Sequence, residues 1–236
     1  MAPPPNRSIQ AVFFDVGNTL VHVHPSVGEV YSRLAESHGV RVPAGTIQEH
    51  FDAAWEEMAS RVPEGVNRYR VYPGGELGWW RDIVKRTFEG TRFQPEDHFD
   101  DFFDAFASES TWRRYPDAER VLEELSGLGL KLGVISNWDS RLPVLLEALG
   151  LRKYFSLVLY SAAEDVEKPA AEIFRRAACR SGVKPGCALH VGDRLVEDYQ
   201  GAKGAGLQAL LVARNGGSGV NGADVVSDLT QVSGYL

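Results

Sequence analysis

A few stretches of this chain pair a reactive side chain with a local pattern able to hold it still. The first is Phe13-Phe14-Asp15-Val16-Gly17-Asn18-Thr19-Leu20, where an apolar run ends on one carboxylate in a turn sequence. Ser136-Asn137 follows the run Lys131 to Ile135, Lys168 lies in an acidic loop before Pro169, and Gly192-Asp193 follows the run Cys187 to Val191. Asp15 and Asp193 offer hard oxygen ligands suited to Mg²⁺, which takes one or two carboxylates, main-chain oxygen and substrate phosphate. Ser136, the backbone around Asn137, and Lys168 supply donors for an anion. A cation, a lysine, hydroxyl donors and an accessible carboxylate suit phosphoryl transfer, with Asp15 attacking phosphorus to form an aspartyl phosphate. Taken alone, Asp15 reads more readily as a helix N-cap or turn residue. The other groups reverse that reading, because Ser136 and Asp193 each follow a predicted strand end and Lys168 lies in the loop after another.

The elements that must position them follow from hydrophobic spacing. Ile9 to Phe14 reads as a strand buried on both faces. From Tyr115 onward, strands and helices alternate: a helix from Pro116-Asp117 with Val121, Leu122, Leu125 and Leu128, the strand Lys131 to Ile135, and a helix over Leu142 to Leu149. A strand at about 156–160, a helix with Pro169 in its first turn, the strand Cys187 to Val191, a helix from about Asp198 and the strand Leu207 to Val212 continue the pattern. Such alternation requires a doubly wound, mostly parallel sheet with right-handed crossovers, an α/β Rossmann-like core whose strand carboxyl ends share one edge. Between the first strand and this run lie four helical patterns without a strand, starting at Val27, Pro43, Leu77 and Pro95, with Asn67 to Gly75 as a loop. They predict an inserted α-helical cap over residues 22–112, with the core domain formed by residues 1–21 and 113–236. Trp55, Tyr69, Trp79 and Trp80 are the cap residues expected to set specificity. His22 and His24 share one face of a short flap and read as a solvated face, with proton donation as the sharper alternative. Asn215 to Gly222 reads as a mobile Gly-rich loop before a short strand and a final helix.

Bulk composition excludes several classes. The 25 basic and 32 acidic residues give a net charge of −7, and no Lys/Arg run forms a patch, so neither a nucleic acid nor a membrane surface is an expected partner. The expected partner is a small phosphorylated molecule. Cys179 and Cys187 lack metal or disulfide spacing and are read as buried thiols in a reducing compartment. No stretch approaches a membrane span or signal-peptide core, and the expected location is cytoplasmic.

Four motifs in order at predicted strand ends resemble the haloacid dehalogenase-like (HAD) hydrolase superfamily. Its first motif, Asp-x-Asp-x-Thr, reads here Asp15-Val16-Gly17-Asn18-Thr19; the second matches Ser136-Asn137, the third Lys168-Pro169, and the fourth Gly192-Asp193 with Asp198 beyond. His24-Pro25, Trp79-Trp80 and His190-Val191-Gly192-Asp193 look like one branch of it. The resemblance implies Asp15 as nucleophile and Mg²⁺ ligand, Asp193 and the Gly17 carbonyl as further ligands, and Asp198 as part of the metal site, positioning metal-bound water or Lys168. It also implies phosphate binding by Ser136, Asn137, Lys168 and Thr19, with Thr19 holding the turn as well. One departure matters: Gly17 stands where the phosphatases carry the second Asp that protonates the leaving oxygen. General acid–base help is worth ~10²–10⁴ in rate, so poor alkoxide leaving groups should suffer most. Three readings follow: a Mg²⁺-dependent phosphatase selective for leaving group, a non-catalytic phosphate-ligand or protein-binding module, and a 2-haloacid dehalogenase.

Overall fold

A computed structural model describes residues 8–214 and 222–236; apart from Gly222, the predicted Gly-rich loop lies outside the described residues. The core is a six-stranded parallel sheet in the order β5-β4-β1-β6-β7-β8. Its strands are β1 (Ala11–Phe14), β4 (Lys131–Ser136), β5 (Leu157–Tyr160), β6 (Ala188–Gly192), β7 (Gln208–Val212) and β8 (Val225–Val226); β2 (Val21–Val23) and β3 (Trp112–Arg114) pair separately as an antiparallel ribbon. The predicted doubly wound α/β core is therefore present. Side chains alternate across β1: Val12 and Phe14 pack on one face with Leu122, Leu125 and Leu145, Ala11 and Phe13 on the other with Ile173, Phe174 and Ala177. Burial on both faces is why β1 is apolar at every position.

The helices α1 (Val27–Ser37), α2 (Ala44–Ser60), α3 (Arg68–Val71), α4 (Gly75–Thr87) and α5 (Phe99–Ala105) lie in the chain between β2 and β3. They bury cores of their own, one around Tyr31, Phe88 and Phe102 and a smaller one around Met58, Tyr69 and Trp79. The helix α3 stands where a loop was predicted, because the Asn67 side chain accepts from the Tyr69 N–H and caps it. In the core, α6 (Ala118–Gly127), α7 (Leu142–Ala148), α8 (Ser161–Glu164), α9 (Ala171–Arg180) and α10 (Gly201–Gly204) complete the crossovers. Pro169 was expected inside the first turn of α9, but the helix starts at Ala171. Asn137 holds the preceding loop through both main-chain groups of Lys168, donating to its carbonyl (2.9 Å) and accepting from its N–H (2.7 Å). The expected burial of both thiols fails for Cys179, which is exposed. The buried stripe of α9 runs through Ile173, Phe174, Ala177 and Ala178, and turns Cys179 to solvent.

The inserted helices rest on the carboxyl edge of the sheet through polar clamps. Asn67 Nδ2 donates to the Ser161 carbonyl (2.6 Å), and Arg68 makes a bidentate pair with Glu167, both contacts at 3.0 Å. Asp139 accepts from Trp80 Nε1 (2.7 Å) and pairs with Arg141 (2.6 Å), whose guanidinium also donates to the Phe103 carbonyl and lies 4.0 Å from the Phe103 ring centre. Asp139 and Arg141 are both buried, so removing one partner leaves an uncompensated charge. Arg141→Ala should cost about 3 kcal/mol in urea unfolding, and the double variant with Asp139→Asn should recover part of that loss.

Candidate active site

Sheet register brings the chemical residues together. Phe14 aligns with Val134 on one side and Val191 on the other. One step further, Asp15 is level with Ile135 and Gly192, so Ser136 and Asp193 stand just above it on the flanking strands. The chain reverses direction across the sheet between β1 and β6, the crevice where open α/β folds bind ligands. Ser136 Oγ donates to Asp15 Oδ1 at 2.8 Å, and Lys168 Nζ donates to the same oxygen at 2.7 Å. Asp15 Oδ2 has no hydrogen-bond partner among the described residues and remains open to form another bond. Lys168 is 3% exposed and its ammonium also reaches Asp198 Oδ1 at 2.6 Å. Burial alone would push its pKa down, but the charges of Asp15 and Asp198 outweigh that and hold it above the ordinary lysine value.

Asp198 is a brace in this structure. Its Oδ1 accepts from Lys168 and from His190 Nε2 (2.9 Å), and its Oδ2 accepts from the Arg194 N–H (2.9 Å). Both oxygens thus carry hydrogen bonds, while the same carboxylate also belongs to the acidic cluster formed with Asp15 and Asp193. A side chain at position 192 would collide with this carboxylate, so Gly192 is what lets it lie against the strand end. Burial works against ionising Asp198, yet the Lys168 ammonium and the hydrogen bond from His190 hold its pKa well below the usual carboxylate range. His190 went without a role in the sequence; a histidine inside an otherwise apolar buried strand was its only signal.

The loop after Asp15 is held from behind. Val16 accepts from the Leu20 and Val21 N–H groups, and Asn18 takes the left-handed conformation at φ 54°, which asparagine tolerates. Arg214 donates to the Thr19 carbonyl through Nη2 (2.5 Å) and Nε (3.2 Å) while stacking on Tyr115 at 3.6 Å. Thr19 is fully buried, its hydroxyl has no partner among the described residues, and it does not line the crevice. Its place is structural, a correction to its expected part in phosphate binding. The Asn137 side chain is spent on the Lys168 loop, and the residue lines the cavity beside Ser136.

Above these groups, between the sheet edge and the inserted helices, lies a cavity of about 550 Å³. Asp15, Gly17, Ser136, Asn137, Lys168 and Asp193 form its floor. Its wall is an arc of aromatic rings: Trp138 to Trp112 (5.1 Å between centres), Trp112 to Phe106 (6.2 Å), and Phe106 to Tyr31 (5.6 Å). From Tyr31 it passes through Phe51 and Trp55 to Trp80. Trp55, Tyr69 and Trp80 line the cavity as expected, but Trp79 is buried in the smaller helical core. Trp112 and Trp138 were not singled out, although Trp138 directly follows Ser136-Asn137. His22 and His24 do not line the cavity. Val23 does, and alternation along β2 turns the histidines to the other face, where His22 packs on Tyr115.

Charge on the floor fits a hard divalent cation. Asp15, Asp193 and Asp198 bring ligand atoms within 4.8 Å of one another, and Lys168 is the ammonium among them, so three negative charges minus one positive leave two. Burial, reinforced by the charges of Asp15 and Asp198, pushes Asp193 up to about 7. Asp15 is also raised, by burial and by Asp198, against the pull of Lys168 and Ser136. Asp15, Asp193 and the Gly17 carbonyl, which accepts no hydrogen bond among the described residues, are the oxygen atoms that would hold such an ion. Because Asp193 is raised in the folded state, the stability it contributes is full at acid pH and is lost as pH rises through about 7. The metal-free protein should therefore melt lower at pH 8 than at pH 5.5. Mg²⁺ should raise the melting temperature more at pH 8, with affinity falling about tenfold per unit below pH 7 as one proton competes. Thermal scans of wild type and Asp193→Asn check this, since the variant should lose the pH-dependent part.

Comparison with known proteins agrees with this architecture. The family model for haloacid dehalogenase-like hydrolases matches residues 9–206. The chain is 37% identical over 205 residues to haloacid dehalogenase-like hydrolase domain-containing protein 3 of Mus musculus, covering 85% of this chain and 80% of that protein. A crystal structure of a HAD phosphatase from Thermococcus onnurineus superposes with a TM-score of 0.68 at 26% identity, covering 96% of this chain and 97% of that one. A 2-haloacid dehalogenase from Pseudomonas syringae pv. Tomato DC3000 shares the fold with a TM-score of 0.66 at 24% identity, again over 96% and 97% of the chains. With a family model spanning most of its length and a relative this similar, the chain belongs to the haloacid dehalogenase-like hydrolases.

Proposed function

We propose that the protein is a Mg²⁺-dependent phosphatase that works through an aspartyl-phosphate intermediate on a small phosphorylated molecule, with the inserted helices acting as its cap. The observation that carries this reading is the bonding of Asp15: Ser136 and Lys168 hold Oδ1, leaving Oδ2 free at the floor of the cavity. Oδ2 is the atom that attacks phosphorus. Ser136 Oγ, the Asn137 N–H and Lys168 Nζ then donate to phosphoryl oxygens, stabilising negative charge where water is largely excluded. Asp198, fixed by His190 and Arg194, keeps the Lys168 ammonium in place. Mg²⁺, when bound, supplies Lewis-acid stabilisation of phosphoryl charge and offsets repulsion between phosphate and the carboxylates. The Thermococcus onnurineus relative, described as a HAD phosphatase, supports the same chemistry. The deciding experiment follows phosphate release from acetyl phosphate and p-nitrophenyl phosphate, with and without Mg²⁺. Turnover that needs Mg²⁺ and vanishes in Asp15→Asn is expected. Chloride release from a 2-haloacid without metal would indicate the dehalogenase chemistry of the Pseudomonas syringae relative instead.

Gly17 favours a second reading strongly enough to be tested alongside. Without a carboxylate there, nothing at that position donates a proton to the leaving oxygen or activates water against the intermediate. Binding of orthovanadate or a metallofluoride with no turnover would identify a phosphate-binding module that has kept the scaffold. If the enzyme is active, sugar phosphates should fall behind acetyl phosphate by ~10²–10⁴ in kcat/KM. Hydrolysis of the intermediate should also be slow, giving a burst of p-nitrophenol and a phosphoprotein visible by mass spectrometry of acid-quenched enzyme.

A further inference from the structure

We infer that the preferred substrates are small aryl phosphates, monoesters whose leaving group is a phenol. The inference rests on the phosphatase reading and deepens it through two independent observations.

The first concerns position 17. A Cβ there would stand 3.3 Å from Trp138 Cζ3, tighter than ordinary contact, so an indole edge borders the space that an acidic side chain would need. The leaving oxygen therefore meets a ring. An alkoxide leaving without a proton is a poor leaving group, whereas a phenolate carries its negative charge without help. In the first step, Asp15 Oδ2 forms a bond to phosphorus as the bond from phosphorus to the aryl oxygen breaks, and the electron pair leaves on the phenolate. In the second, a water oxygen bonds to phosphorus, the Asp15 carboxylate is released, and the water proton passes to solvent.

The second observation concerns the wall. The aromatic arc begins at Trp138, directly beside the phosphate floor, and the cavity falls within the ~300–1,000 Å³ range of small-molecule sites. Offset and edge-to-face packing on such rings favours a flat aromatic group over an aliphatic one. Two of the wall's arginines are already spent. Arg68 is paired with Glu167 and Arg141 with Asp139, both beside the aromatic arc, which leaves Asp52, Arg194 and Glu197 as the other charged side chains lining the cavity above its floor. Unprotonated departure and a ring-lined pocket thus select the same chemistry.

The test compares two esters with leaving groups of similar acidity, phenyl phosphate and hexafluoroisopropyl phosphate, on wild-type protein with Mg²⁺. A preference of about tenfold or more in kcat/KM for the phenyl ester is expected. Equal rates would overturn the aryl inference while leaving the phosphatase reading intact. Trp138→Leu, verified as folded by circular dichroism, should reduce the preference several-fold, and an unchanged preference would exclude Trp138 as its source. Should acetyl phosphate and both esters resist turnover, the phosphatase reading fails. Calorimetric binding of phenylphosphonate and methylphosphonate then decides the pocket's selectivity: about tenfold tighter binding of the phenyl compound supports an aryl site, and equal or absent binding overturns it.

Discussion

The site depends on one buried contact, the Lys168 ammonium held between Asp15 and Asp198. A lysine sealed from water is costly, and it stays charged only because two carboxylates meet it at hydrogen-bond distance. Every neighbouring element serves that arrangement. The strand β1 ends on Asp15, β6 ends at Gly192 so that Asp198 can close in, and the loop carrying Lys168 is fastened by Asn137 from β4's end. His190, inside β6, donates to the same Asp198 oxygen as Lys168, and the Arg194 N–H holds the other. The triad also explains why the crevice lies between β1 and β6, since these strands carry Asp15 and Asp193 to either side of the lysine.

Residues that bear the chemistry adjoin residues that grip the inserted helices. Asp139 and Arg141 follow closely after Ser136 and Asn137 on the same loop, and Glu167 precedes Lys168. Asp139 holds Trp80, Arg141 holds Phe103, and Glu167 holds Arg68. A shift of the helices is therefore transmitted along very short stretches of main chain to the floor of the cavity. The aromatic wall is shared in the same way, with Trp138 and Trp112 from the core side and Phe51, Trp55 and Trp80 from the insert.

Much of this was legible in the sequence, for a specific reason. Short apolar runs ending on polar residues mark buried parallel strands, and right-handed crossovers then oblige their ends to share an edge. Asp15, Ser136, Lys168 and Asp193 were placed together by that logic alone. What side chains do after arriving was less legible. Whether the Asp198 carboxylate faces a cation or a lysine is decided by His190 and the Arg194 amide, contacts that no spacing rule reveals. The Thr19 hydroxyl turned inward because the loop is latched from behind, and Trp79 and Trp80, one step apart on α4, both pack against Trp55 yet only Trp80 reaches the cavity. Trp112 and Trp138 gain their meaning only by meeting across the fold. Cys179 illustrates the converse: its exposure follows from the apolar stripe of α9, whose spacing in the sequence already leaves position 179 off the buried face.

The latch from Arg214 to the Thr19 carbonyl joins residues 195 positions apart. During synthesis, β1 and the turn after Asp15 leave the ribosome early and wait for the chain as far as Arg214 before this hydrogen bond can form. No nascent fragment ending before Arg214 has the loop locked from behind, so the latch can form only after β7 has been made, and it precedes only the edge strand β8.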